Sequence, residues 1–243
     1  MKKLMLVFVL VSMFSCKSKT QVVQPATDGQ NQAVQKQEIQ QPTSDKSENV
    51  AAAKTTVVNK LGPMDSIKDL DRQIDGYKSG SNLSAEDVES NRKLKEDIIR
   101  GTFDLYELCR LALDIHWNEI DDAKKKYFVD LMTRLLERKA IFSKEQVKGT
   151  DKPYKVSYLK ESYLNNEKTS SLVNTKVVVP SEKVDLNISY KLIMGPNGWH
   201  IFDVLVDEAS LVENYKFQFD TIIKKYGYQE LIDRMEKKLK EME

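Results

Sequence analysis

The chain has 243 residues but only two cysteines and two histidines. One cysteine, Cys16, lies next to an N-terminal apolar run, so Cys109 has no partner for a disulfide within the domain that follows. His116 and His200 are far apart in sequence, and no Cys/His cluster has zinc spacing, so no metal centre is expected. The chain also lacks G-x-S-x-G, a Walker loop and G-x-G-x-x-G. Charge of one sign is missing too. From Leu61 on, 30 basic residues face 33 acidic ones, a net of about −3. No basic stripe is present to match a phosphate backbone, which disfavours nucleic acid as a partner. The one long apolar run, Leu4 to Phe14, is too short to span a bilayer as a helix.

That run follows Lys2 and Lys3 and ends at Ser15-Cys16, the pattern of a secretory signal peptide. Met13-Phe14-Ser15-Cys16 is similar to a bacterial lipobox, loosened at its first two positions, which makes Cys16 the expected lipidation site. Residues 1–16 are therefore read as a lipoprotein signal peptide. Residues 17–60 are rich in Gln, Thr, Ser, Val and Ala, contain Pro25 and Pro42, and have almost no large apolar side chains. Such a segment cannot bury enough surface to offset its ordering entropy, and it reads as a disordered tether. Its typical span is about 35–40 Å, and its full extension roughly 150 Å. Residues 61–243 suit one domain with a core of its own.

The first half of that domain reads as helices. Ile67, Leu70, Ile74 and Tyr77 recur at helical spacing behind Pro63. Ser84 with Asp87 predicts a capped helix to about Arg100, broken or kinked at Gly101. Asp104 and Asp121 can cap two more helices. Their apolar faces hold Leu105, Leu108, Cys109 and Ala112, then Ala123, Tyr127, Phe128, Leu131 and Leu135. The second half alternates. Val156 and Tyr158, then Val173, Thr175, Val177 and Val179, then Val184, Leu186, Ile188, Tyr190, Leu192 and Met194 share one parity. Period two with one apolar face predicts an antiparallel sheet, wet on one side and covered on the other. Gly195-Pro196-Asn197-Gly198 closes a hairpin onto Trp199–Val206, and two amphipathic helices follow. The expected class is α+β, a curved antiparallel sheet of about four strands with helices packed on one face.

Within the apolar strand from Trp199 to Val206 stands one carboxylate, Asp203. A buried carboxylate must be hydrogen-bonded or shifted in pKa. It can serve as a proton-transfer group of an isomerase- or hydratase-like pocket, or simply hold neighbouring backbone. The second reading is preferred. Cys109 reads as a small buried hydrophobe, and His116 as a helix-end residue. A lipoprotein scaffold with a filled core is the remaining alternative.

Two blocks resemble a known family. The first is Trp199, Ile201, Phe202, Asp203, Val204, Val206, Ser210, Leu211, Val212, Asn214, Tyr215, Gln218 and Phe219, followed by Gly227, Leu231 and Ile232. The second is Phe103, Asp104, Leu105, Leu108, Ala112, Leu113, His116 and Trp117, then Phe128, Met132, Leu135 and Leu136. At this spacing they resemble the toluene-tolerance family, which includes the periplasmic phospholipid carrier of the Mla lipid-asymmetry system. The likeness covers most of residues 85–240. It departs at Ala209, where the family usually has Gly, and at Lys139-Ala140-Ile141, where a Tyr often follows the double Leu.

The resemblance implies an apolar cavity between sheet and helices that holds phospholipid acyl chains as cargo, with no cofactor and no catalytic residue. The candidate lining residues are Leu105, Leu108, Val177, Val179, Ile188, Tyr190 and Leu192. It also implies an ABC-transporter complex of the inner membrane and an outer-membrane assembly as partners. The chain would work in the periplasm, anchored to a membrane through Cys16. Lys17 after that cysteine resembles outer-membrane sorting.

Overall fold

Alternation in the second half of the chain produces a single five-stranded sheet in which every neighbour is also the next strand in sequence, β1-β2-β3-β4-β5. The strands are β1 (Lys155–Tyr163), β2 (Ser170–Val179), β3 (Val184–Gly195), β4 (Gly198–Val206) and the two-residue β5 (Ala209–Ser210). All pairings are antiparallel. A computed structural model describes residues 61–78, 82–139, 155–179 and 184–242, with the side chains at 139, 179 and 184 excepted. The proposed signal peptide, Cys16 and the tether lie outside the described residues, as do Ala140 and Ile141.

The register places the expected residues on one face. Thr175 pairs with Ile188, Val173 with Tyr190, and Ser171 with Leu192. On the other side of β3, Ile188 pairs with Val206, Tyr190 with Val204, and Leu192 with Ile201. A bulge between Lys191 and Leu192 inserts one extra residue into β4 and shifts its parity there. The β3–β4 turn follows the sequence reading, with Gly195 opposite Gly198. Pro196 and Asn197 keep negative φ, and Gly198 absorbs the turn at φ 129°.

The helices are α1 (Pro63–Ile74), α2 (Ala85–Thr102), α3 (Leu105–Leu113), a 3₁₀ segment (Asp114–Asn118), α4 (Asp122–Lys139), α5 (Leu211–Tyr226) and α6 (Tyr228–Lys240). Ser84 and Asp87 form the expected capping box. Asp104 accepts from Glu107 N at 2.9 Å and Asp121 from Lys124 N at 2.8 Å, so both cap as read. Gly101 does not break α2. The helix runs through it and ends one residue later, and the C-cap Phe103 is extended and bridges Ile201 in parallel. On α4, Ala123 and Tyr127 face water, while Phe128, Leu131, Met132, Leu135 and Leu136 are buried. The apolar stripe of α4 is thus narrower than its sequence suggests.

All helices lie on one face of the sheet in two tiers. α1, α2, α3 and α5 reach the strands, whereas α4 and α6 pack mainly on other helices. Where the tiers meet, Phe128 stands edge-on to Phe219 at 5.6 Å, and Phe219 stacks on Tyr215 at 5.3 Å.

Candidate functional site

The inner sheet face is not covered evenly. α2, α3 and α5 pack on β4, and beneath them Leu192 and Ile201 are 0% exposed. Toward the start of β3 the covering thins. Val156 and Leu186 are only half-buried, whereas Val173, Val177, Ile188 and Tyr190 are buried. The helix over this flank is α1, which packs on β1, β2 and α2.

The seven candidate lining residues therefore fall into three groups. Val177, Ile188, Tyr190 and Leu192 share the inner face, as their parity requires. Val179 pairs with Val184 at the end of β2, and its side chain lies outside the described residues. Leu108 is fully buried and Leu105 half-buried, both on α3. That helix packs on β4, α4 and α5, away from the β1–β2 flank. Sequence reasoning did not assign the flank's cover to α1, although Ile67 and Leu70 carried the signal in their spacing.

Asp203 is buried, and its carboxylate is fully engaged. Lys191 Nζ donates to Oδ2 at 3.0 Å, Ser210 Oγ to Oδ2 at 2.8 Å, and Val212 N to Oδ1 at 3.1 Å. Ser210 in turn is the N-cap of α5, accepting from Glu213 N at 3.0 Å. The carboxylate thus fastens the start of α5 to the sheet, next to the positive end of the helix. This geometry supports the structural reading and gives none to a catalytic base.

The same corner resolves the departure at Ala209. The left-handed backbone falls on Asp207 (φ 45°) and Glu208 (φ 71°), while Ala209 pairs with Val206 across a two-residue turn. Asp207 is held there by Asn187, which accepts from its N–H at 2.9 Å and donates to its Oδ1 at 3.0 Å.

His116 is buried in the 3₁₀ segment, between two carboxylates. Nδ1 lies 2.8 Å from Glu119 Oε2 and Nε2 lies 3.1 Å from Asp220 Oδ1 on α5. Burial pushes its pKa down, but the bonds to Glu119 and Asp220 outweigh this and leave it raised. A neutral ring would turn a lone pair toward one carboxylate, so the site favours imidazolium. His116 also forms part of an open cleft of about 370 Å³, lined further by Leu113, Ile115, Lys216 and Phe217.

Cys109 is free and buried, and burial raises its thiol pKa. Among the described residues, the Tyr215 hydroxyl and Gln218 Oε1, both from the signature, are buried and find no hydrogen-bond partner. No periodicity argument could have shown this. Among the described residues no acidic, His or Cys cluster could hold a metal ion. Nor is any described helix long and apolar enough to cross a membrane.

Comparison with known proteins matches residues 69–237 to the model of the MlaC protein family. A solved structure of a phospholipid-binding protein from Ralstonia solanacearum, in complex with a phospholipid, has the same fold at a TM-score of 0.59 and 17% identity. The match covers 75% of this chain and 99% of that one. No curated protein sequence matches the chain.

Proposed function

Because the chain belongs to the MlaC protein family, we propose that it binds phospholipid by its acyl chains between sheet and helices, and carries that lipid between membranes. The observation that carries this reading is the extent of the family match, which spans every strand and the helices from within α1 to within α6. The Ralstonia protein of the same fold holds a phospholipid. In this reading Val177, Val179, Ile188, Tyr190 and Leu192 line the chain-binding space, with Leu105 and Leu108 of α3 closing its β4 side. The chain is not an enzyme. Its cargo needs a dry, chain-length space and a way in, but no reacting group.

The energetics fit a carrier. Burying a fatty chain is worth about 0.8 kcal/mol per CH₂ against water, so one chain exceeds roughly 10 kcal/mol. A bilayer offers nearly the same, so transfer between bilayer and protein is close to neutral. A partner at each membrane can then set the direction. We assign these roles to an ABC-transport complex and an outer-membrane assembly. The chain itself would sit in the periplasm, held through lipidated Cys16 and the tether 17–60, with the outer membrane as the preferred side.

Solvent extraction and native mass spectrometry of the purified protein test the reading directly. Stoichiometric phospholipid is expected, and its absence would overturn the carrier. For the anchor, Cys16→Ala should move the protein from the membrane to the soluble fraction, with the domain still folded. A variant that still pellets with membranes would remove the lipid anchor from this account.

A further inference from the structure

We infer that α1 is the movable cover of the lipid site, so that acyl chains enter and leave between α1 and β1; the inference rests on the carrier reading above and adds its route of entry. α1 packs on β1, β2 and α2, over the flank where Val156 and Leu186 are half-buried. Among the described residues, the main sheet contacts of α2, α3 and α5 are with β4 and β5.

α1, like α5, has an early backbone amide held by a carboxylate of the sheet, but it carries further polar ties along its length. Ile67 and Leu70 are buried beneath it, but polar groups on the inner face of β1 fix it along its length. Its N-cap, Gly62, has no side chain to satisfy the first amides. Glu161 does this from the sheet, accepting from Met64 N at 2.8 Å. Near the other end the Tyr158 hydroxyl donates to Asp71 Oδ2, and the Lys68 ammonium lies 5.7 Å from the centre of the Tyr158 ring. Ties of this kind exchange for water at little net cost, whereas apolar contacts of a closed core do not. Burial pushes the Asp71 carboxyl up, partly offset by the Tyr158 hydroxyl, so its carboxylate gains hydration when the helix lifts.

A fixed point lies just beyond the C-terminal end of α1. Buried Asn91 of α2 accepts from Lys78 N and donates to Lys78 O, both at 2.8 Å, and Lys78 Nζ pairs with Asp87 at 2.5 Å. α1 therefore pivots about Lys78, and its N-terminal end swings from Glu161.

Two measurements on the full-length chain test this. Hydrogen–deuterium exchange should show α1 amides exchanging at least tenfold faster than those of α5. Equal protection would overturn the cover whatever the protein carries. Lipid transfer is then followed from phosphatidylethanolamine–phosphatidylglycerol vesicles containing a pyrene-labelled phospholipid. Oxidising the pair Met64→Cys and Glu161→Cys to a disulfide should slow transfer at least tenfold, with recovery in dithiothreitol. Tyr158→Phe, which loosens the cover and adds no crosslink, should speed transfer about tenfold. Wild-type rates in both variants would overturn the proposal. Vesicles that yield no labelled lipid to the wild-type protein would overturn the carrier reading, even with α1 exchanging fast.

Discussion

The two flanks of the sheet are both covered by amphipathic helices, yet apolar and polar contacts share the closure in different proportions. Over β4, apolar complementarity dominates, with Asp203 pinning the start of α5. Leu192 and Ile201 exclude water completely, and the aromatic set Phe128, Phe219 and Tyr215 locks the two helical tiers together. Over β1 and β2, one helix lies on a face that contributes Tyr158 and Glu161 as well as Val156 and Val177, and it is fastened by hydrogen bonds. The first arrangement gives rigidity, because close-packed interiors yield little to small forces. The second permits local opening, since stability within one domain is uneven and follows the density of buried apolar contact.

The contrast can be broken most forcefully from the rigid side. Phe219→Ala removes a fully buried ring with two aromatic neighbours, and should cost about 3–5 kcal/mol of global stability in urea unfolding. Ile67→Ala on α1 should cost less, about 2 kcal/mol or under, because part of its effect is confined to local opening of α1. Equal losses would erase the distinction between the flanks. Next, Asp203→Asn keeps the shape but leaves Lys191 without its carboxylate, and should lower stability by about 1–3 kcal/mol. Bound lipid should persist in this variant. Turnover of a small carbonyl substrate by the wild type that vanishes here, with binding intact, would revive the enzymatic alternative.

Ile188→Trp sharpens the comparison at the boundary of the flanks. A filled core would be overpacked at a cost of about 1–3 kcal/mol. A lined space should accept the indole with a change below about 1 kcal/mol in delipidated protein, while phospholipid stoichiometry falls. Strong destabilisation together with a lipid-free wild type would sink the carrier.

The smallest effects are titrations, and they separate the flanks by pH. The raised pKa of His116 means that its clasp on α5 contributes fully below pH 6.5 and is lost as pH rises through the folded-state value. His116→Gln should therefore lower the melting temperature in mildly acidic buffer and have little effect in alkaline buffer. Asp71 also has a raised pKa, so protonation favours its buried state. That contribution is complete below pH 3.8 and is lost as pH rises through the folded-state value. Protection of α1 amides relative to their intrinsic exchange rates should rise on acidification in that lower window, and Asp71→Asn should abolish this rise.

Much of the fold was legible because it depends on local chemistry. Period two placed Val173, Thr175, Val177, Ile188, Tyr190 and Leu192 on one face, and three polar residues, Ser84, Asp104 and Asp121, announced their helices. Asp203 was legible as a problem, a carboxylate in an apolar strand, and its preferred structural solution is the one found. The partners were not legible where they come from distant sequence. His116 meets Asp220 and Met64 meets Glu161 across about a hundred residues, and periodicity reports which face a residue takes, never what lies opposite. Which helix lies over the β1–β2 flank was not legible for the same reason. The bulge at β4 and the left-handed pair Asp207-Glu208 were missed because each answers to twist and register, which emerge only when strands pair.

The strand order has a kinetic consequence. A sheet whose neighbours are all adjacent in sequence can form hairpin by hairpin, each loop closing at low entropic cost. The helical layer has no such route. Phe103 and Asp104 must find Ile201 across nearly a hundred residues, forming the parallel bridge and the Asp104 N to Ile201 O bond at 2.9 Å. The slow step in folding is therefore expected to be docking of α2 and α3 onto a meander already formed. Until that happens the inner face of the meander stays open to solvent, and folding intermediates should stick to apolar surfaces that the finished protein ignores.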